Sequence, residues 1–193
     1  MHATRQLPGA DYGEVFTRRW VVDLILDLVG YTPDRDLAAA VLVEPSCGTG
    51  AFLGPVIERL IQSSRGHGRD LRGLGPAIRA FDLLDANAER ARKEVAHTLT
   101  LAGFLEDESA AMVAKWISTG DFLLQVDDLD SADYIVGNPP YIRLENVPRP
   151  IMDAYRRVCR TMRGRADVYV GTRTQAQSPI RRPAATGNLV PHD

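Results

Sequence analysis

Five consecutive residues, Gly137-Asn138-Pro139-Pro140-Tyr141, carry the densest chemistry in the chain, and they follow the short apolar run Ala132-Asp133-Tyr134-Ile135-Val136. The two prolines fix the backbone and remove two donors, so neighbouring carbonyls are left pointing outward without local partners. Asn138 adds a side-chain carbonyl acceptor, and Tyr141 adds a flat aromatic face. A strand end that presents acceptors beside a stacking surface suits a planar ring bearing an amino group. Taken alone, the same residues read equally well as a Pro-rich turn with a buried Tyr, so the elements that position them have to decide.

An apolar, β-branched run at Ala38 to Val43 has the length of a buried parallel strand. It leads into Glu44-Pro45-Ser46-Cys47-Gly48-Thr49-Gly50, and Ala51 to Ile61 then reads as a helix with Phe52, Val56, Leu60 and Ile61 inward. Strand, glycine turn and helix form the nucleotide-cradling unit of doubly wound sheets. Gly48 and Gly50 admit close backbone approach, and the helix start offers free N–H groups. Glu44 is the more telling residue. A carboxylate at the end of a first strand accepts from the ammonium of an amino-acid group and repels a pyrophosphate, which favours S-adenosylmethionine over a dinucleotide. Cys47 reads as a small turn residue, because no partner His accompanies it.

The other elements follow in alternation. Arg18 to Val29 reads as an amphipathic helix with Trp20, Val21, Leu24, Ile25 and Leu28 packed on the domain, Thr17 as its N-cap and Gly30 as its stop. Phe16 and Thr17, just ahead of it, are within reach of a ligand. Ser63 to Pro76 reads as a mobile Gly- and Arg-rich surface loop with a solvated His67. Ala77 to Leu84 reads as a second strand and Asp85 as the cap of a helix running to about Leu101, with Ala91, Val95, Leu99 and Ala102 inward. An acid at the end of a second strand suits ribose hydroxyls, and Asp82 is preferred over Asp85 for that role. Glu106 to Trp116 reads as a helix and Ile117 to Leu123 as a third strand running into a turn. There, Asp121 and Phe122 read either as a turn acid with a core ring or as an amino-group acceptor beside an aromatic wall. Pro150 opens a last helix through about Arg163. Its Arg149, Arg156, Arg157, Arg160, Arg163 and Arg165 form a solvated face or a contact for nucleic-acid phosphates.

Bulk properties limit the classes. The 193 residues suffice for one α/β domain, and 45% hydrophobic with 25% charged residues is a globular balance. A formal net charge of −2 excludes a polycation, so any nucleic-acid footprint must be local. Two cysteines, Cys47 and Cys159, provide neither a disulfide framework nor a metal cluster and fit a reducing cytoplasm. No run approaches membrane-spanning length and no signal-peptide core opens the chain.

In order, Phe-Thr before a helix, EPSCGTGAFL, FDLLDANAERAR, GDFLL and DYIVGNPPYIRLE resemble the adenine-specific DNA methyltransferases of the gamma arrangement. Methylase domains of type IIG restriction–modification enzymes and of phage-defence systems are the nearest in pattern, over about residues 12 to 170. The resemblance implies a doubly wound, Rossmann-like S-adenosylmethionine-dependent methyltransferase fold. It divides the chain into an N-terminal segment and helix (1–37), a cofactor-binding and catalytic core (38–170) and a disordered tail (171–193).

It also implies site roles. Phe16 and Thr17 match the first cofactor motif, although Arg18 stands where many members have Pro. Glu44, Pro45, Ser46, Cys47, Gly48 and Gly50 match the loop holding the methionine part. Asp82 or Asp85 matches the ribose acid, in a stretch one residue longer than the commonest pattern. Asp121 and Phe122 match the adenine-binding pair of the cofactor, and Asn138, Pro139, Pro140 and Tyr141 match the catalytic motif. No metal is implied, and cytosine carbon-5 chemistry is disfavoured for want of a cysteine nucleophile. The implied partner is double-stranded DNA, with a base flipped from the duplex. Because the matching pattern stops just after Val170, the resemblance implies a sheet incomplete on its C-terminal side and a largely absent recognition region, with a partner chain as one way to complete the fold. Two further groups share the tetrapeptide, modifying release-factor glutamines or ribosomal-RNA guanines; an inactive remnant or a cofactor-binding subunit are the non-enzymatic alternatives.

Overall fold

In a computed structural model, residues 17–73, 77–125, 132–139 and 147–158 are described. Four short parallel strands build the sheet: β1 (Leu42–Glu44), β2 (Ile78–Asp82), β3 (Ile117–Thr119) and β4 (Tyr134–Ile135). Their spatial order is β3-β2-β1-β4, with Leu42 opposite both Ile78 and Tyr134. The chain therefore steps outward from β1 through β2 to β3, then returns to the other side of β1 for β4. That reversal places a crevice beyond the carboxyl ends of β1 and β4, where open α/β sheets bind ligands.

Alternate residues of each strand feed two cores, as a strand period of two requires. Leu42, Ile78, Ala80 and Ile117 face a large cluster with α1 (Arg19–Leu28), α2 (Leu53–Gly66), α3 (Asp85–Leu101) and α4 (Glu106–Trp116). Val43 and Phe81 face the opposite cluster, which holds Phe122, Leu123, Val147 and the α5 residues Met152 and Tyr155 (α5, Arg149–Val158). Both faces are covered, and the strands are correspondingly apolar.

Several sequence expectations hold closely. Helix α4 has the expected bounds, α3 ends at Leu101, and Phe52, Val56, Leu60 and Ile61 are buried. Gly30 stops α1 in the left-handed region (φ 75°), and Tyr31 N–H closes the end on Leu26 O at 2.9 Å.

Others are corrected. Helix α1 buries Val22 and Leu26, with Ile25 partly buried; Trp20, Leu24 and Leu28 face outward at 63%, 49% and 78% exposure. Its orientation is fixed by Arg59 of α2, which bonds Asp27 Oδ1 (2.7 Å), Tyr31 O (3.1 Å) and Asp23 O (3.1 Å), and by Arg19 paired with Glu58. Arg18, not Thr17, occupies the N-cap, and no side chain caps the helix. The first strand begins at Leu42, because Leu37–Ala39 close into a 3-10 turn. Residues 63–66 continue α2 instead of opening a loop: Ser63 Oγ accepts from Leu37 N–H (3.0 Å) and donates to Arg35 O (2.5 Å), so the helix is held by tertiary bonds. Leu71 beyond it is also buried, and residues 74–76 lie outside the described set, as do 1–16, 126–131, 140–146 and 159–193. The expected end of the last helix and the expected tail therefore fall there too. No helix among the described residues is long and apolar enough to cross a membrane.

Candidate active site at the ends of β1, β2 and β4

The glycine turn after β1 is held from β2. Cys47 N–H donates to Phe81 O (2.8 Å), and Gly48 N–H donates to Asp82 Oδ2 (2.8 Å). The other oxygen, Asp82 Oδ1, accepts from Leu84 N–H (2.9 Å). Asp82 thus supports both the turn that opens towards α2 and the start of α3. Its residue is 5% exposed. Gly48 (φ 53°) and Gly50 (φ 97°) both lie in the left-handed region, and a Cβ on Gly48 would meet nothing within 4 Å, so open space lies over this backbone.

Asp85 was expected as a helix cap. Leu84 takes that position instead, with Asp85 the first helical residue. Its exposed carboxylate accepts from Thr119 Oγ1 (2.9 Å), and Arg92 reaches the same hydroxyl (3.2 Å) and Ile117 O (3.1 Å). Asp85 serves the end of β3, while Asp82 bonds Leu84, the residue that precedes α3; no side chain caps that helix.

Glu44 ends β1 at 1% exposure, and its Oε2 has no hydrogen-bond partner among the described residues. Burial, and secondarily the nearby Asp82 charge, push its carboxyl well above the usual carboxylate range. Directly across the β1–β4 crevice is Gly137. A Cβ there would sit 3.4 Å from Glu44 Cγ and 3.6 Å from Pro45 Cδ. The contact would be tight but tolerable; it is the backbone φ of 152° that favours glycine at this point, and the chain then delivers Asn138. Asn138 Nδ2 donates to Thr17 Oγ1 at 3.4 Å, a long bond that turns the amide nitrogen towards the start of α1 and the carbonyl oxygen away from it. An unpaired acid, an open glycine turn and a side-chain carbonyl converge on one crevice. That donor set fits an amino-acid ammonium beside an amino-bearing ring, and no group of three metal-ligating side chains accompanies it among the described residues.

Further along, Gly120 N–H donates to Asp82 O (2.8 Å), bringing the turn after β3 level with the end of β2. Gly120 has a φ of 155°, which favours glycine; the group an added Cβ would meet is the flexible end of Gln125. Asp121 caps the following 3-10 turn through Leu123 N–H (3.0 Å), and Phe122 is buried edge-on against Phe81 (5.5 Å, 61°). Phe122 is therefore a core ring at 5% exposure. Tyr155 donates to the second oxygen of Asp121 at 2.6 Å. The sequence reading missed Tyr155, though Met152 and Tyr155 at i, i+3 opposite the exposed Arg149, Arg156 and Arg157 were a usable signal.

Cys47 is 3% exposed, and burial, reinforced by the Glu44 and Asp82 charges, drives its thiol far above the ordinary value, which is the environment of an inert thiol. Ser46 is half-buried and Pro45 buried in the same turn. Phe16, Pro140 and Tyr141 lie outside the described residues. A concavity of about 400 Å³ between the C-terminal ends of α2 and α3 is lined by Arg65, Arg69 and Arg72. These bond Ala102 O, Asp36, and Asp70 with Glu108, respectively, which leaves little net charge for a ligand.

Strand order, two-sided helical cover and a crevice at the reversal point define a doubly wound, Rossmann-like α/β fold whose described sheet has four strands. The structure of the type IIG restriction endonuclease BpuSI shares this fold over 84% of the present chain and 18% of its own, with a TM-score of 0.51 and 18% identity. By sequence the chain is similar to the Type II methyltransferase M.XhoI of Xanthomonas vasicola, with 44% identity over 162 residues, 82% of this chain and 30% of that protein. It is similar also to M.PaeR7I of Pseudomonas aeruginosa (42% over 161 residues, 82% and 28%) and M.BstVI of Geobacillus stearothermophilus (37% over 166 residues, 82% and 30%). The chain thus spans about 30% of the length of these curated relatives. No family model matches it.

Proposed function

We propose that this chain contains the cofactor-binding and catalytic part of a site-specific, adenine-specific DNA methyltransferase of a restriction–modification system. In this reading S-adenosylmethionine supplies an electrophilic methyl group, and the acceptor is the exocyclic N6 of an adenine flipped from double-stranded DNA. The observation that carries the reading is the convergence of Glu44, the Gly48 turn and Asn138 on the β1–β4 crevice. The Type II methyltransferase relatives support it, since their match extends over most of this chain.

The residues take the following parts. Glu44 holds the ammonium of the methionine portion, with Thr17 and Phe16 at its flank and the backbone of Pro45, Ser46, Cys47, Gly48 and Gly50 around it. Asp82 accepts from the ribose hydroxyls, and Asp85 lies further out. Asp121 accepts from the amino group of the cofactor's adenine, and Phe122 forms part of the wall beneath.

Adenine N6 is a poor nucleophile because its lone pair is delocalised into the ring. Asn138 Oδ1 and the Pro139 carbonyl accept its two hydrogens, which draws nitrogen towards a tetrahedral geometry and frees the lone pair. Pro140 keeps this backbone rigid, and Tyr141 stacks on the flipped base. Catalysis is then positioning and electrostatic stabilisation, with no metal or covalent nucleophile. In this reading Arg149, Arg156 and Arg157 of α5, which are exposed, contact DNA phosphates.

Incubation with methyl-labelled S-adenosylmethionine and unmethylated DNA, followed by nucleoside digestion, tests this. Label in N6-methyladenine is expected, abolished in Asn138→Ala while calorimetric cofactor binding persists. Label in another base would overturn adenine specificity. Cofactor binding without any transfer would favour a cofactor-binding subunit, and the absence of binding would sink the pocket assignment.

A further inference from the structure

Asp121 sits on the turn after β3, and the helix that holds it comes from the far side of the catalytic motif in sequence. Its Oδ1 accepts from Leu123 N–H at 3.0 Å, and its Oδ2 accepts from the Tyr155 hydroxyl at 2.6 Å. The second distance is that of a charge-assisted O–H···O⁻ bond. Tyr155 is 7% exposed and lies in the same apolar cluster as Phe122, Leu123, Val147 and Met152, so its ring has little freedom to swing away. With one bond to each oxygen the carboxylate is fixed in rotation, and each oxygen still has a lone pair for a further donor. Burial raises the Asp121 carboxyl above its usual range, and the Tyr155 bond is the largest influence drawing it back, so the hydroxyl also favours the charged acceptor form.

We infer that Tyr155 is the positioning residue for base discrimination at the cofactor: it orients the Asp121 carboxylate to accept from the adenine amino group and ties that acid to the helix following Asn138–Tyr141. The inference rests on the cofactor role given to Asp121 above. It adds that discrimination at the adenine end depends on α5, whose Met152 and Tyr155 pack into the second core.

The test compares calorimetric affinities for S-adenosylhomocysteine and S-inosylhomocysteine, in which a carbonyl replaces the amino group. Tyr155→Phe keeps the ring in its cluster and removes the donor. It is expected to weaken S-adenosylhomocysteine binding about tenfold, the size of one lost charged hydrogen bond's orienting effect, and to leave the inosine analogue within about twofold. Asp121→Asn should lose the same discrimination, and the double variant should lose no more than Asp121→Asn alone. Installing 4-fluorophenylalanine in place of Tyr155, which fills the hydroxyl's space but cannot donate, should lose the same discrimination and serves even if Tyr155→Phe does not fold. Equal weakening of both analogues, additive effects in the double variant, or retained discrimination with 4-fluorophenylalanine would overturn the role of Tyr155 while leaving the functional reading in place. Failure of the wild-type protein to bind either analogue would instead overturn that reading, and this inference with it.

Discussion

The Gly48 amide nitrogen lies 2.8 Å from Asp82 Oδ2, so the acid ending the second strand holds the glycine turn that follows the first. A ribose acid was expected at Asp82; the structure gives that carboxylate an architectural duty as well, with Leu84 N–H on its other oxygen. Asp82→Asn replaces an acceptor by a donor facing an amide N–H. It should lower stability by about 2 kcal/mol in urea denaturation. Asp85→Asn, on an exposed carboxylate, should stay within about 0.5 kcal/mol of wild type. Equal losses from the two variants would contradict the division of labour drawn here.

Glu44 gives a pH-dependent signature. Its carboxyl is displaced upward in the fold, mainly by burial and then by Asp82. The folded protein therefore holds a proton that the unfolded chain gives up near the ordinary value of 4.5, and stability falls as pH rises from there towards the displaced value. Glu44→Gln should flatten that decline and leave the variant more stable than wild type at neutral pH. The same substitution should weaken S-adenosylmethionine binding about tenfold, since the ammonium partner is gone. Denaturation across a pH series, with calorimetry on the same samples, checks both signs.

Gly137→Ala puts a methyl group against Glu44 Cγ and Pro45 Cδ at a backbone φ of 152°. A loss of about 1–3 kcal/mol is expected, with Asn138 displaced from Thr17. Gly54→Ala, where an added Cβ meets nothing within 4 Å, should stabilise α2 by about 0.5–1 kcal/mol. Thermal or chemical unfolding of the pair separates local strain from a general intolerance of glycine replacement.

Cys47 should resist thiol reagents in the folded protein at mildly alkaline pH and react once denatured. Cys47→Ala should cost about 1 kcal/mol, as a small buried side chain does, and leave methyl transfer unchanged. Rapid native labelling at Cys47, identified by peptide mass, would contradict its buried, raised-pKa environment.

The alternation of strand and helix was legible in the sequence wherever one face of an element was distinct. Helix α3 is the clear case, with Ala91, Val95 and Leu99 apolar among charges. Helix α1 was not, because RWVVDLILDL is apolar nearly all round; periodicity offered Trp20-Leu24-Leu28 as readily as Val22-Leu26, and tertiary bonds from α2, Arg59 to Asp23 and Asp27 and Glu58 to Arg19, choose between them. The extension of α2 past Ile61 was hidden for a similar reason, since Ser63 owes its place to Arg35 and Leu37, far away in sequence. Within the site, residue types at strand ends named Glu44, Asp82 and Asp121. The distant partners of the two aspartates, Gly48 and Tyr155, arise from tertiary approach, which spacing along the chain does not encode.

The lone carboxylate at the foot of the crevice also has a consequence for laboratory evolution. A library of this chain selected for folded, soluble expression alone would enrich amides or apolar side chains at position 44, because each removes a buried unpaired acid. A library selected for cofactor capture would hold the acid and seek its gains elsewhere. Enrichment ratios at that one codon would therefore separate selection on folding from selection on use.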